Sequence, residues 1–492
     1  MADAEGTAGA APAAELSTLD KILIDGKMAR DESQKSYAKD LIGEFVNQVI
    51  DQGMVVSADT FASINSRIAQ IDEMISKQLN EVMHADEFKK LEGSWRGLNH
   101  LVMNTETGVR LKIRLLNATR GELLGDLEKA TEFDQSELFR KVYEDEYGTF
   151  GGNPFGLIVG DFEFGRHPQD IALLEKLSNV AAAAHAPFIA AASPKLFDMD
   201  SFTEIGKPRD LGKVFESSEL IKWRSFREAE DSRYVTLALP HVLMRLPYGP
   251  NTKPVEEFGF VEEVTGKDHG KYLWGNAAWV LGQRITNAFS LYSWCAAIRG
   301  VEGGGLVEGL PTHTFATDEG DIALKCPTEI AITDRREKEL NDLGFITLCH
   351  CKGTDYAAFF GGQTANKPKQ YDTPQANANS RISSQLPYIL AASRFAHYLK
   401  VIMRDKIGSF STKENVAVFL NRWISAYVLG DDNASQGMKA RFPLREARVD
   451  VYDVPGKPGA YRATVFIRPH FQLEELTASI RLVAELPPPA AA

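Results

Sequence analysis

The stretch FGLIVGDFEFGRHPQD, residues 155–170, decides how this chain is read. It passes from an apolar segment, Phe155 to Val159, through a turn holding Gly160 and Gly165, to a helix start ahead of Pro168, a residue suited to the first helical position. Strand, glycine turn and helix together open an α/β layer, and the same order is used by phosphate-binding loops. Such a loop needs a lysine for the phosphates and a hydroxyl for Mg²⁺ after its second glycine. Arg166 and His167 stand there instead, and the loop itself carries Asp161 and Glu163, whose charge repels an anion. The turn therefore reads as a strand-to-helix connection without the chemistry of a nucleotide site.

Working outward, the sequence predicts a helix over Asp170 to Ala184, a strand over Phe188 to Ala192 and another in RYVTLAL (233–239). A long apolar helix follows over about 275–299, then strands in TEIAIT (328–333) and GFITLC (344–349), and helices near 380–407 and 412–429. GGQTANKPKQYDTPQANANS (361–380) reads as a long polar loop. Upstream, GVRLKIRLLN (108–117) sets Val109, Leu111, Ile113 and Leu115 against Arg110, Lys112 and Arg114, the pattern of a half-buried strand. Earlier still, Leu41, Ile42, Phe45, Val49 and Ile50 fall at helical spacing within 16–53, which stops at Gly53. Phe61, Ile64, Ile68, Ile71, Ile75 and Leu79 line one face of the next helix. Such a stripe packs against something, and with no strand before it in the chain the partner could be another polypeptide.

At the other end, EARVDVYDV (446–454) and AYRATVFIRP (460–469) alternate on either side of the turn PGKPG, a hairpin, and LTASIRLVAEL (476–486) adds a third, terminal strand. That strand is either tucked into its own sheet or lies at an edge open to other chains. The Ala-rich residues 1–15 read as disordered.

With 492 residues, 44% hydrophobic and 25% charged, the chain is long enough for two or three globular domains. A net charge of −12 argues against nucleic acid and against anionic membrane surfaces as partners. No apolar run has the length of a membrane span, and acids occupy the positions where a signal peptide needs bases, so a cytoplasmic protein is expected. Four scattered cysteines fit a reducing compartment.

The ten histidines are dispersed, none closer to the next than His84 to His100, so no helical metal motif exists. Cys349, His350 and Cys351 form the one Cys/His cluster, and with no second ligand pair in register both cysteines read as buried on a core strand. Glu144, Asp145 and Glu146 in YEDEYG (143–148) could bind a metal or make a solvated acidic turn. There is no serine nucleophile elbow and no dinucleotide fingerprint. Catalytic residues, metal and cofactor are all read as none, which favours a structural or interaction protein. The alternative is an α/β enzyme using a cleft near Asp161 or the Cys349 strand.

Several longer blocks carry a resemblance. LEGSWRGL (91–98), YEDEYGTFGGNPFG (143–156), PFIAAASPKLF (187–197), WRSFREAEDSRYVTLALPHVLMRLPYG (223–249), SRISSQLPYILAASRFAHYLK (380–400) and RPHF (468–471) resemble, in order, the large subunit of the type VI secretion contractile sheath, the TssC or VipB family. The likeness runs from about residue 60 to 486. It implies a mixed α/β fold with a phage-tail-sheath-like core, an N-terminal helical region, and a C-terminal β-hairpin plus terminal strand. The corresponding divisions are an arm at 1–58, a helical partner-binding region at 59–104, the sheath core at 105–440, an inter-protomer sheet region at 441–486 and a tail at 487–492.

The resemblance also implies partners: a small sheath subunit, neighbouring heterodimers, an inner tube, a baseplate, and an unfoldase ATPase that dismantles the contracted sheath. The small subunit is assigned to the stripe from Phe61 to Leu79, and protomer-to-protomer strand contacts to Val449, Val451, Val465, Ile467, Ile480 and Leu482. By analogy with phage-like sheaths, Lys413, Glu414 and Arg422 face the inner tube.

Overall fold

The computed structural model describes residues 32–51, 60–256, 258–317, 319–409, 412–457 and 460–473. The Ala-rich start and the expected terminal strand, with Ile480 and Leu482, lie outside them. The chain divides into two compact units, residues up to Leu79 with Glu257–Phe260, and Asn80–Glu256 with Val261 onward. Helix α1 (Glu32–Asp51) and helix α2 (Thr60–His84) come first, followed by α3 (Asp86–Met103) and α4 (Arg120–Lys129).

The decisive stretch forms β1 (Ile158–Phe164) and α5 (Pro168–Ala184). His167 caps α5 by accepting the Gln169 N–H at Nδ1, 3.3 Å away, and Pro168 takes the first turn. The chain continues through β2 (Phe188–Ala192), α6 (Ile221–Glu228), β3 (Val235–Leu239), the paired β4 (Val242–Leu243) and β5 (Trp274–Gly275), and α7 (Ala277–Tyr292). Next come β6 (Leu306–Val307), a small hairpin of β7 (Thr314–Ala316) and β8 (Ile322–Leu324), α8 (Asp334–Asp342), β9 (Phe345–His350) and β10 (Ala357–Phe359).

The main sheet has six strands in the order β1-β2-β3-β9-β10-β6; the first four run parallel and the last two antiparallel. Parallel strands joined by helices must bury both faces. Phe188, Ala190, Val235, Leu237 and Phe345 accordingly meet α5 and the large aromatic cluster around Trp223. Ile189, Ala238, Ile346 and Leu348 face the other way, onto α7.

After α9 (Pro374–Ile382), helix α10 (Leu386–Asp405) connects two cores: Leu386 and Leu390 belong to the α7 side of the sheet, Phe395 and Leu399 to a third cluster. That cluster joins Trp294, Leu420 and Ile424 of α11 (Lys413–Ser425), and the hairpin of β11 (Leu444–Asp453) and β12 (Tyr461–Pro469). Trp294 stacks on Phe395 at 4.3 Å between centroids.

The structure corrects the sequence reading in several places. GVRLKIRLLN forms no strand: Val109 is 91% exposed and Leu115 66%. Pairing beside β1 is pre-empted, because the Gly160 and Phe162 carbonyls accept from the Asn276 side chain and the Glu163 carbonyl from Arg120. TEIAIT contributes only an isolated bridge at Thr328, since Glu329 turns its carboxylate inward to His241. The polar loop holds buried Gln363, Thr364, Ala365 and Asn366, and then α9, capped by Thr373 with Pro374 in its first turn. YEDEYG lies in a π-helical segment, Arg140–Gly148, and not in a turn; Glu144 and Asp145 are exposed, as a solvated acidic segment would be, and Glu146 pairs with Arg114. Cys351 falls beyond the end of β9 and is exposed, so only Cys349 is a buried core cysteine.

Candidate functional site

The strand-to-helix turn is filled from within. Asp170 Oδ2 accepts the Gly165 N–H at 2.9 Å, occupying the place of an anion, and Arg166 is held by Asp198 at 2.6 Å and Glu219 at 3.1 Å. Asp161 accepts from the Trp279 indole at 2.9 Å. Glu163 reaches His241 Nε2 at 2.9 Å, and His241 Nδ1 meets Glu329 at 2.5 Å. Glu329 also accepts from Ser201 Oγ at 2.6 Å and the Phe202 N–H at 3.1 Å. Burial alone lowers the His241 pKa, but the two carboxylates outweigh it and push it up to about 10. Burial raises Glu329, yet its hydrogen bonds from His241 and His269 hold it well below the ordinary carboxylate range. The result is a hydrogen-bonded carboxylate–imidazolium–carboxylate lock that runs from the exposed Glu163 through half-buried His241 to buried Glu329.

A second such knot sits behind α3. Arg245 makes paired contacts to Glu92 and Glu262, and Arg96 joins Glu92 at 2.7 Å. Among the described residues no group of three or more histidine, cysteine or carboxylate side chains is placed to hold a metal. None of their helices is long and apolar enough to cross a membrane.

What the described surface does offer is uncovered apolar faces. On α2, Ile68, Ile71, Ile75 and Met74 are exposed, while Ile64 and Leu79 are half-buried. Phe61 has no described side chain. Helix α3 carries a comparable face that the sequence reading passed over: Phe88, Leu91, Trp95 and Val102 are exposed, Trp95 at 61%. Their spacing of three, four and seven residues was the available signal. The opposite side of α3 explains the glycines of LEGSWRGL. Gly93 lies against the Trp274 carbonyl, and a Cβ on Gly97 would stand 2.2 Å from the Trp279 ring.

The C-terminal hairpin divides differently. Val449 and Val451 are buried and Val465 and Ile467 half-buried, all four packed in the chain's own third cluster. Among the described residues the hairpin has two strands, and each has an outer backbone edge. That of β11 is covered at Leu444 by residues 427 and 429 and at Val449 by Asn421. On α11, Glu414 and Arg422 are exposed, as are Val418 and Phe419, while Lys413 is paired with Asp453 at 3.1 Å.

The bare apolar faces of α2 and α3 are each suited to being covered by another polypeptide. Residues 65–366 match the family described as EvpB/VC_A0108, tail sheath N-terminal domain, and residues 375–486 match its tail sheath gpW/gp25-like domain. The chain belongs to this tail sheath family, and it is a sheath subunit. It is 49% identical over 469 residues, covering 95% of this chain and 94% of the relative, to the type VI secretion system sheath protein TssC1 of Pseudomonas aeruginosa. Among solved structures, the PVC sheath complex of an extracellular contractile injection system in its contracted state overlaps 63% of this chain and 68% of its own, at 8% identity and TM-score 0.34. The anti-feeding prophage baseplate overlaps 64% and 66%, at 9% identity and TM-score 0.34. Both likenesses are too distant to inform this fold.

Proposed function

We propose that this chain is the large subunit of a type VI secretion sheath, that it pairs with a small sheath subunit in the cytoplasm, and that the pairs polymerise around an inner tube and contract to propel it. The observation that carries this reading is the α2 face: Ile68, Ile71, Met74 and Ile75 stand in solvent on an amphipathic helix within the family's matched region. Apolar stripes of that length are stable in water only when covered. The helical region at 59–104 is accordingly assigned to the small subunit. The α11 residues Lys413, Glu414 and Arg422 are assigned to the inner tube, and the hairpin strands to neighbouring protomers. A baseplate and an ATPase that dismantles the contracted polymer complete the set of partners, and contraction is a change between two packings of the same subunits.

Co-expression with the small subunit followed by negative-stain microscopy tests this. Long tubules are expected from the pair. A small, discrete oligomer formed by the chain alone, with no affinity for the small subunit, would instead favour an α/β enzyme.

A further inference from the structure

Helix α8 faces the segment 209–213 across an open cavity of about 730 Å³, and every described side chain lining it is charged. Arg335, Lys338, Glu339 and Asp342 stand on one face of the helix, at helical spacing, and Arg209, Asp210 and Lys213 come from the segment opposite. The two walls are tied together. Arg336 donates to the Pro208 carbonyl at 2.6 Å and to Glu339 at 2.7 Å, Glu339 accepts the Leu211 N–H with its other oxygen, and Arg335 reaches the Arg209 carbonyl at 3.5 Å. Leu211 and Leu340 are fully buried behind them.

These bonds occupy the acids and leave bases over. Both Glu339 oxygens are taken, Asp210 accepts the Gly212 N–H at 2.9 Å, and Asp342 lies close enough to the buried Arg227 guanidinium to favour its charged form. Arg209, Lys213 and Arg335 are exposed and have no ion partner among the described residues. On a chain of net charge −12, three unpaired cations around one cavity single it out as a place where anions concentrate. Arginine offers phosphate oxygens a planar fork and lysine a point charge. Three such groups spread over a cavity of this size match several linked phosphates better than one. With no aromatic or apolar side chain among the described lining residues, a nucleoside would have nothing to stack on.

We propose that this cavity is a binding site for condensed phosphate, a chain of linked phosphate groups that Arg209, Lys213 and Arg335 hold across the gap between α8 and the segment facing it. The site is independent of the surfaces assigned to sheath partners.

Calorimetric titration of inorganic triphosphate tests it, using the full-length chain, together with the small subunit where the two co-elute, at about 0.15 M salt so that remote charges are screened. Saturable binding of one triphosphate per chain is expected. ATP should bind with similar or lower affinity, because it brings the same phosphates and a base without a contact. Lys213→Gln with Arg335→Gln should weaken triphosphate by about tenfold or more. Asp210→Asn keeps an oxygen for the Gly212 N–H and removes a repelling charge, so it should tighten binding about threefold, a gain that impaired folding cannot mimic. Lys367→Gln with Lys369→Gln removes the same charge from exposed positions outside the cavity and should leave the affinity within about twofold. Absence of saturable binding, undiminished binding by the Lys213→Gln, Arg335→Gln variant, an equal loss from the Lys367, Lys369 pair, no gain in Asp210→Asn, or ATP binding about tenfold tighter than triphosphate overturns the proposal.

Discussion

The Asn421 side chain lies across Val449 as a neighbouring strand would: its Nδ2 donates to the Val449 carbonyl at 2.7 Å and its Oδ1 accepts the Val449 N–H at 2.9 Å. Both backbone groups of Val449 therefore point away from β12. The residue opposite, Val465, must likewise turn its N–H and carbonyl outward, because directly opposed antiparallel residues share that orientation. The β11 edge is closed at Val449 by a side chain, and among the described residues no strand pairs with the outer edge of β12.

Val465→Pro should then spare the β11–β12 ladder, remove an outward donor, and fix φ at a position where an edge strand tolerates it. Soluble complex with the small subunit but no tubules is the expected outcome by size exclusion and negative stain. Tubules of normal length would move the inter-protomer contact elsewhere.

Ile68→Asp with Ile71→Asp should abolish co-purification of the small subunit. Both residues are already partly covered in the chain, so each has roughly 1 kcal/mol of burial left to gain, and a carboxylate there must also be desolvated. The fold itself should survive, which circular dichroism checks. Full recovery of partner would show that the stripe packs otherwise.

Gly97→Ala tests the inner side of α3. Its Cβ would meet Trp279 Cδ1 at 2.2 Å, and Trp279 is fixed by its bond to Asp161. Overpacking of this kind costs about 1–3 kcal/mol, read as a lower denaturant midpoint at unchanged m-value. Gly121→Ala, on α4 where a Cβ meets nothing within 4 Å, is the control and should hold the midpoint or raise it, since alanine favours a helix over glycine.

The His241 lock predicts a particular pH dependence. The His241 pKa is raised from an ordinary 6.5 to about 10, so its contribution is complete below 6.5 and fades as pH climbs through 10. Glu163 and Glu329 are lowered from 4.5, so theirs is present above 4.5 and lost on acidification. Stability from the lock peaks between those limits. Breaking a buried pair costs about 3–5 kcal/mol, so His241→Ala should destabilise by that order near pH 6 and flatten the alkaline slope. An unchanged slope between pH 7 and 10 in thermal unfolding would dismiss the lock.

Much of the layer was legible because local chemistry and burial agreed there. Pro168 began α5, Ala184 ended it, and the apolar run Phe188–Ala192 had no alternative to a doubly buried strand. The failed phosphate loop was also readable, since Arg166 and the loop acids stand in the sequence; that Asp170 fills the cradle was not, because its reach to Gly165 depends on how the turn closes. GVRLKIRLLN misled for the same reason. Alternation states that a segment is suited to pairing, never that a partner edge is present.

By itself, then, the sequence determined which segments are amphipathic, where helices start, that the strand-to-helix turn lacks the lysine and hydroxyl of a phosphate loop, and which family the order of its blocks resembles. These depend on neighbours a few residues away, whose spacing is covalent. Tertiary structure alone decided which apolar faces are spent internally and which remain bare: the hairpin valines close a core with α11, while Ile68 on α2 and Trp95 on α3 stay in solvent. It alone brought Glu163, His241 and Glu329 together across 166 positions, 329 less 163. Burial and charge pairing at such separations are set by the packing of whole elements, which nothing in the local order of residues encodes.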